Sequence, residues 1–261
     1  MNMVERAFGL VKETGRKAFV PYIMAGDGGL ECLTDRLVLL EKFGATAIEV
    51  GVPFSDPVAD GPTIQRAGIR ALKSGTTLKG IIVELEKARE AVSVPIILMT
   101  YLNPIYAYGI KSFVKDIQKA GVGGCIIPDL PLEEESIIAP KLEEAEVELI
   151  RLVTPTTPID RIEQIASKGR GFLYAVTVKG ITGARNGFDE ELFSFLQKTK
   201  EVSSIPVLAG FGISSQEQIS HMTQYCDGVV VGSKIIELFN NNDLKEMEEL
   251  MSALNHSAKM A

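Results

Sequence analysis

The sequence predicts an α/β fold, a closed (β/α)8 barrel with an extra helix at the N-terminus. Three observations carry this. Eight short runs rich in Val and Ile alternate with longer amphipathic segments, which is the pattern of βα units on a parallel sheet. Eight such units in 261 residues match the usual TIM barrel of about 250 residues better than an open sheet. No linker, low-complexity tract or composition shift divides the chain, so residues 1–261 read as one domain.

The elements follow in order. VERAFGLVKETG near the N-terminus reads as the extra helix, placed to close the barrel bottom. The strand runs are AFVPYIM (18–24), ATAIEVG (45–51), VPIILMTY (94–101), GGCIIPDL (123–130), VELIRLVTP (147–155), GFLYAVTV (171–178), IPVLAGFG (205–212) and DGVVVGS (227–233). Between them, segments such as LECLTDRLVLLEKFG (30–44) and IKSFVKDIQKAG (110–121) repeat their apolar residues at helical spacing. Gly44 and Gly121 mark where two of these helices stop. The segment NDLKEMEELMSALNHSAKMA reads as the last outer helix and a frayed end.

Composition removes several function classes. With 27 basic and 34 acidic side chains the net charge is -7, which argues against a nucleic-acid or anionic-membrane binder. No apolar run approaches the roughly 18 residues of a membrane span. Charges run through the N-terminal stretch, so it does not read as a signal peptide. Cys32, Cys125 and Cys226 lie far apart with no CxxC spacing, which fits a reducing, cytoplasmic setting and suggests no metal site. His221 and His256 sit in polar surroundings, so the chemistry falls to carboxylates.

In a barrel the site lies at the C-terminal ends of the strands. Strand two ends near Glu49, and alternation puts Ile48 and Val50 on the outer face and Ala47 and Glu49 on the inner one. A carboxyl inside an apolar barrel is costly to ionise, so it is poised to exchange a proton near neutral pH. Position alone also fits an exposed glutamate or one paired with a buried Arg. The loop after it, PFSDPVADGPTIQRA (53–67), offers Asp56 and Asp60. Pro62 suits the first helical position, which makes Gly61 the cap and leaves Asp60 free to face the pocket. Three glycine-rich segments follow later strands: KGITGARNG (179–187), GFGISSQEQ (210–218) and VGSKII (231–236). The first reads as a lid. Ser214 and Glu217 have capping-box spacing in the second. Gly232 and Ser233 precede a short helix in the third. Glycine loops after strands seven and eight are the recurring phosphate site of barrels.

Taken together, these residues resemble the alpha subunit family of tryptophan synthase. The resemblance rests on IEVGVPFSDPVADGPTIQRA (48–67), supported by FVPYIMAGD (19–27), MTYLNPIYAYG (99–109), IIPDLPLEEE (126–135), KGITGAR (179–185), AGFGISS (209–215) and VVVGSKII (229–236). It implies a lyase that cleaves indole-3-glycerol phosphate to indole and glyceraldehyde 3-phosphate by a retro-aldol reaction without metal or cofactor. It assigns catalysis to Glu49 and Asp60. Tyr174 would line the substrate pocket and Thr182 would orient the aspartate. Gly183, Gly212, Gly232 and Ser233 would hold the phosphate. Tyr22, Thr100, Ile126, Phe211 and Ile213 would form the indole pocket, with Tyr22 and Ile126 standing where the family pattern leads one to expect Phe and Leu. It also implies a beta subunit as partner in an alpha2beta2 heterotetramer. Pyridoxal phosphate would belong to that partner, and docking would involve Pro53, Asp56, Pro57, Asn103, Pro104 and Tyr106. Two rivals are a Schiff-base aldolase using Lys179, which strand parity disfavours, and an inactive activator of the beta subunit.

Overall fold

The computed structural model describes residues 1–176, 190–210 and 212–254. Eight strands are present: β1 (Ala18–Met24), β2 (Ile48–Gly51), β3 (Ile96–Met99), β4 (Gly124–Ile126), β5 (Glu148–Val153), β6 (Leu173–Val176), β7 (Val207–Gly210) and β8 (Gly228–Val231). They pair in chain order, and β1 pairs with β8 to close the barrel. Every pairing is parallel.

Strand alternation divides the apolar side chains into two layers. Ile48, Val50, Leu98, Cys125, Leu173, Val207 and Val229 belong to the layer beneath the outer helices. Val20, Ala47, Ile97, Ile126, Ile150, Leu208 and Val230 fill the inside. The predicted parity of β2 is thus correct. The helices are built by ordinary local rules. Gly44 and Gly121 end two of them with φ of 95° and 75°, a backbone region that costs glycine nothing. The predicted start of the helix after β2 is also correct, with Gly61 as cap and Pro62 in first position.

One capping assignment differs. The helix Gln216–Met222 is capped by Ser215, whose side chain accepts from the Gln218 N–H. Ser214 instead shares the Gln218 side chain, its N–H donating to Oε1 at 2.8 Å. Two adjacent serines give the same sequence signature, and the backbone enters the helix one residue later than predicted.

The extra helix, Met3–Glu13, has Val4, Phe8 and Val11 buried. These three join the inner cluster rather than the outer one. Phe8 meets Phe172 with ring centroids 4.8 Å apart. The cap residue Asn2 donates from Nδ2 to Glu148 Oε2 at 3.0 Å, while the Arg170 N–H occupies Glu148 Oε1 at 3.0 Å. The helix is therefore a floor latched to β5 and to the start of β6.

The last helix is Leu244–Ser252; residues 255–261, including His256, lie outside the described residues. His221 is exposed and edges against Tyr225. The three cysteines are free. Burial pushes the Cys125 thiol up to about 12 and the Cys226 thiol up to about 11, so neither forms a thiolate readily. Among the described residues no helix is long and apolar enough to cross a membrane.

Phe8 is 2% exposed, and its loss opens a cavity at the barrel floor. Phe8→Ala is expected to cost about 3–5 kcal/mol of unfolding free energy, read as a lower urea midpoint. The variant that remains folded should keep its active site, because the floor and the catalytic rim are at opposite ends.

Candidate active site

Glu49 is fixed by the pairing of its strand, with Tyr22 beside it on β1 and Ile97 on β3. It is 1% exposed. Neither carboxylate oxygen has a hydrogen-bond partner among the described residues. An ionised carboxylate held this way loses its hydration and gains nothing in return. Burial, with the nearby Asp60 charge adding to it, pushes the Glu49 carboxyl up to about 8. Sequence position had allowed a buried Arg as partner; no ion pair to Glu49 occurs among the described residues.

Asp60 is half-buried at the end of the loop after β2. Burial raises its carboxyl to about 6, and a hydrogen bond with Tyr101 holds it back from rising further. The Tyr101 hydroxyl also accepts the Ala59 N–H at 2.9 Å, and its ring packs on Phe54 at 5.1 Å. The loop is thus pinned on both sides of Asp60, since the Gln65 side chain donates to the Asp60 carbonyl at 2.9 Å. Behind it, the helix Pro62–Lys73 is tied to the end of β1 by Arg70. Its guanidinium donates twice to Asp27, each bond 2.7 Å long.

Both acids line one cavity with Tyr22, Ile64, Met99, Tyr174, Gly212, Ile213, Val230, Gly232 and Ser233. Eight of the predicted site residues meet there: Glu49, Asp60, Tyr22, Tyr174, Ile213, Gly212, Gly232 and Ser233. Ile126 is fully buried in the inner cluster and does not bound the cavity. Thr100 does not line the cavity either. Ile97 and Met99 share the inner parity of β3, so Thr100 turns away and its hydroxyl donates to the Tyr101 carbonyl at 3.4 Å. Met99 takes the place expected for Thr100. Thr182, Gly183, Lys179 and Phe211 lie outside the described residues.

Sequence reading missed Met99, Ile64, Val230 and Tyr101. Continuing the alternation of β3 one residue further would have found Met99, and a strand ending in an inward Met99 would have freed Tyr101 to reach over Asp60. Asp56 stays on the exposed loop, bonded to the Ser55 hydroxyl.

One end of the cavity is formed by Gly232, cap of the helix Ser233–Asn241, which has no side-chain cap bond. Its first N–H groups are therefore open to an anion. Gly212 takes φ of 72°, a conformation that keeps the turn after β7 tight. A larger groove of about 400 Å³ runs along β4 and β5. Its charges are already satisfied, Arg151 by Glu135 and Arg161 by Glu133, so it offers no reactive group. Among the described residues no cluster of three or more His, Cys, Asp or Glu could hold a metal ion.

A parallel barrel with two carboxyls raised to different degrees, lining one cavity that ends at a helix N-terminus without a side-chain cap, has the parts of an acid–base enzyme for a small anionic substrate. The comparisons narrow that class. The family model for the tryptophan synthase alpha chain matches residues 8–261. A tryptophan synthase alpha chain of Bacillus mycoides is 56% identical over 245 residues, covering 94% of this chain and 95% of the relative. One from Bacillus cereus strain G9842 is 57% identical over 241 residues, covering 92% and 93%. Among solved structures, the tryptophan synthase alpha chain of Legionella pneumophila superposes with a TM-score of 0.89 at 32% identity, covering 100% of both chains. A Mycobacterium tuberculosis tryptophan synthase chain gives 0.89 at 32% identity, covering 100% and 99%. The chain belongs to the tryptophan synthase alpha chain family.

The unpartnered Glu49 has a measurable thermodynamic consequence. Its carboxyl binds a proton more tightly folded than unfolded, so the unfolded state releases that proton first as pH rises. Stability attributable to Glu49 is therefore complete below about 4.5 and declines up to about 8. Glu49→Gln, which never ionises, is expected to match the native chain near the lower limit and exceed it above the upper one by about 2–4 kcal/mol. Urea unfolding at both ends of that range checks it; a gap that does not widen with pH contradicts the assignment.

Proposed function

We propose that Glu49 and Asp60 together carry out the alpha reaction of tryptophan synthase, with Glu49 as the proton donor and acceptor and Asp60 as the ionised partner. The chain is a lyase of tryptophan biosynthesis that cleaves indole-3-glycerol phosphate to indole and glyceraldehyde 3-phosphate. The observation that carries the residue assignment is Glu49, buried at the cavity with both oxygens unpartnered.

Cleavage at indole C3 requires that carbon to take a proton and become tetrahedral, which spreads positive charge to the ring nitrogen. The glycerol hydroxyl next to the breaking bond then loses its proton as it becomes a carbonyl. Glu49 is protonated at neutral pH because of its burial, so it has the proton that C3 needs. Having given it up, the carboxylate accepts the proton of the glycerol hydroxyl and returns to its starting form. Asp60, whose carboxyl lies near 6, is mostly ionised at neutral pH. It accepts the indole N–H and offsets the developing cation. Tyr101 keeps the Asp60 carboxylate charged by hydrogen bonding to it. The phosphate binds at Gly212, Gly232 and Ser233, with Gly183 completing its loop. By the family resemblance Thr182 orients Asp60 and Phe211 joins the apolar wall, while Ile126 supports that wall from the inner cluster beneath it.

The chemistry runs on this chain's own carboxyls, with no cofactor of its own. The Schiff-base rival would use Lys179, which lies outside the described residues; strand parity is the argument against it. An inactive activator would have no use for a glutamate held neutral at the expense of stability. The partner is the tryptophan synthase beta subunit in an alpha2beta2 assembly, and pyridoxal phosphate belongs to it. Asp56, Asn103 and Tyr106 are exposed on the catalytic rim, Pro57 and Pro104 are half-buried, and Pro53 is buried beneath them, which suits a docking surface beside the cavity mouth. The protein works as a single barrel domain in the cytoplasm.

Two outcomes test this reading. Glu49→Gln should lose at least about 10²–10⁴-fold in cleavage, the typical contribution of acid–base catalysis, while remaining folded by circular dichroism. The pH profile of kcat/KM should be bell-shaped, rising near 6 as Asp60 ionises and falling near 8 as Glu49 does. Because the two acids interact, the limbs are values of the pair. Asp60→Asn should remove the rising limb, measured by steady-state kinetics from pH 5 to 9.

A further inference from the structure

Tyr22 is 4% exposed, yet its hydroxyl has no hydrogen-bond partner among the described residues. The side chain lines the cavity that holds both acids. Its hydroxyl feels the charges of Asp60 and Glu49, which, with burial, push the phenol well above its ordinary range. It therefore stays a neutral donor at every working pH.

The ring also has a defined span. At its stem, a Cβ placed on Gly232 would stand 3.5 Å from Tyr22 Cβ and Cδ1. At its tip, a Cβ placed on Gly51 would collide with the hydroxyl oxygen. Tyr22 thus stretches from the phosphate end of the cavity to the strand that bears Glu49. The part of the substrate that must cross the same interval is the glycerol chain, which joins the phosphate to the indole ring and carries two hydroxyls. Beside the cavity the hydroxyl can donate to whatever occupies it, which a phenylalanine ring of the same shape could not do.

We propose that the Tyr22 hydroxyl is a substrate-positioning group that hydrogen-bonds a hydroxyl of the glycerol chain. It places the chain so that its reacting hydroxyl faces Glu49. The role goes beyond walling the indole pocket, and it rests on the acid–base reading of Glu49 and Asp60.

The test uses Tyr22→Phe, which keeps the ring and removes one oxygen. Two ligands are compared in each protein: the substrate, through kcat/KM, and indole-3-propanol phosphate, which has the ring and the phosphate but neither hydroxyl, through its inhibition constant. The expected result is a fall of about tenfold in kcat/KM with a change of less than about twofold in inhibitor affinity, the signature of one lost hydrogen bond. An unchanged kcat/KM overturns the proposal. So does an equal loss for both ligands, because that would report a changed pocket shape rather than a missing bond. Glu49→Gln measured alongside separates the two readings: cleavage lost there with Tyr22→Phe unaffected removes the Tyr22 assignment alone, and cleavage retained in Glu49→Gln removes the acid–base reading on which it stands.

Discussion

The site depends on one deprivation: a carboxyl enclosed by a barrel that gives it nothing to bond to. Folding normally satisfies a buried acid with an arginine or a row of N–H groups. This chain does so elsewhere, at Asp27 with Arg70 and at Glu135 with Arg151. At Glu49 both oxygens are left alone, so the group keeps its proton where an ordinary glutamate would have lost it. The same barrel that makes the fold stable, by burying Ala47, Ile97 and Leu208 on the inner side, supplies the desolvation that makes the glutamate an acid. Asp60 escapes this fate because it stands on a loop at the rim, half in contact with water and bonded to Tyr101. Two carboxyls of similar intrinsic acidity are thereby pushed to different values, chiefly by depth and further by the Tyr101 hydrogen bond at Asp60 and the Asp60 charge beside Glu49.

Room for the substrate comes from glycines on the inward face. Gly51 leaves space for the tip of Tyr22, and Gly210 leaves space for the ring of Tyr174. Each tyrosine leans over a glycine of a neighbouring strand, β2 for Tyr22 and β7 for Tyr174. A side chain at either glycine would push a phenol out of its place in the cavity wall.

Much of this was legible in the sequence because barrel strands repeat one rule. Period-two alternation placed Glu49 inward without any partner information, and the Gly61–Pro62 pair freed Asp60 from a capping role. Two errors arose. Ser214 and Ser215 offer the same cap, and only the backbone path chooses between them. Thr100 enters through the family resemblance, whereas the parity of β3 turns Met99 to the cavity. Tyr101 was hidden for a different reason. Its contact with the Asp60 loop joins residues 42 positions apart at Ala59, and no local pattern reports a long-range hydrogen bond.

The floor helix Met3–Glu13 has an implication for biosynthesis. It is synthesised well before the surfaces it covers, Glu148 of β5 and Phe172 at the start of β6. During translation its apolar stripe of Val4, Phe8 and Val11 has nowhere to bury. The nascent chain carries that stripe uncovered until more than half of the barrel has emerged, so a helix made before every strand is seated only after most of them.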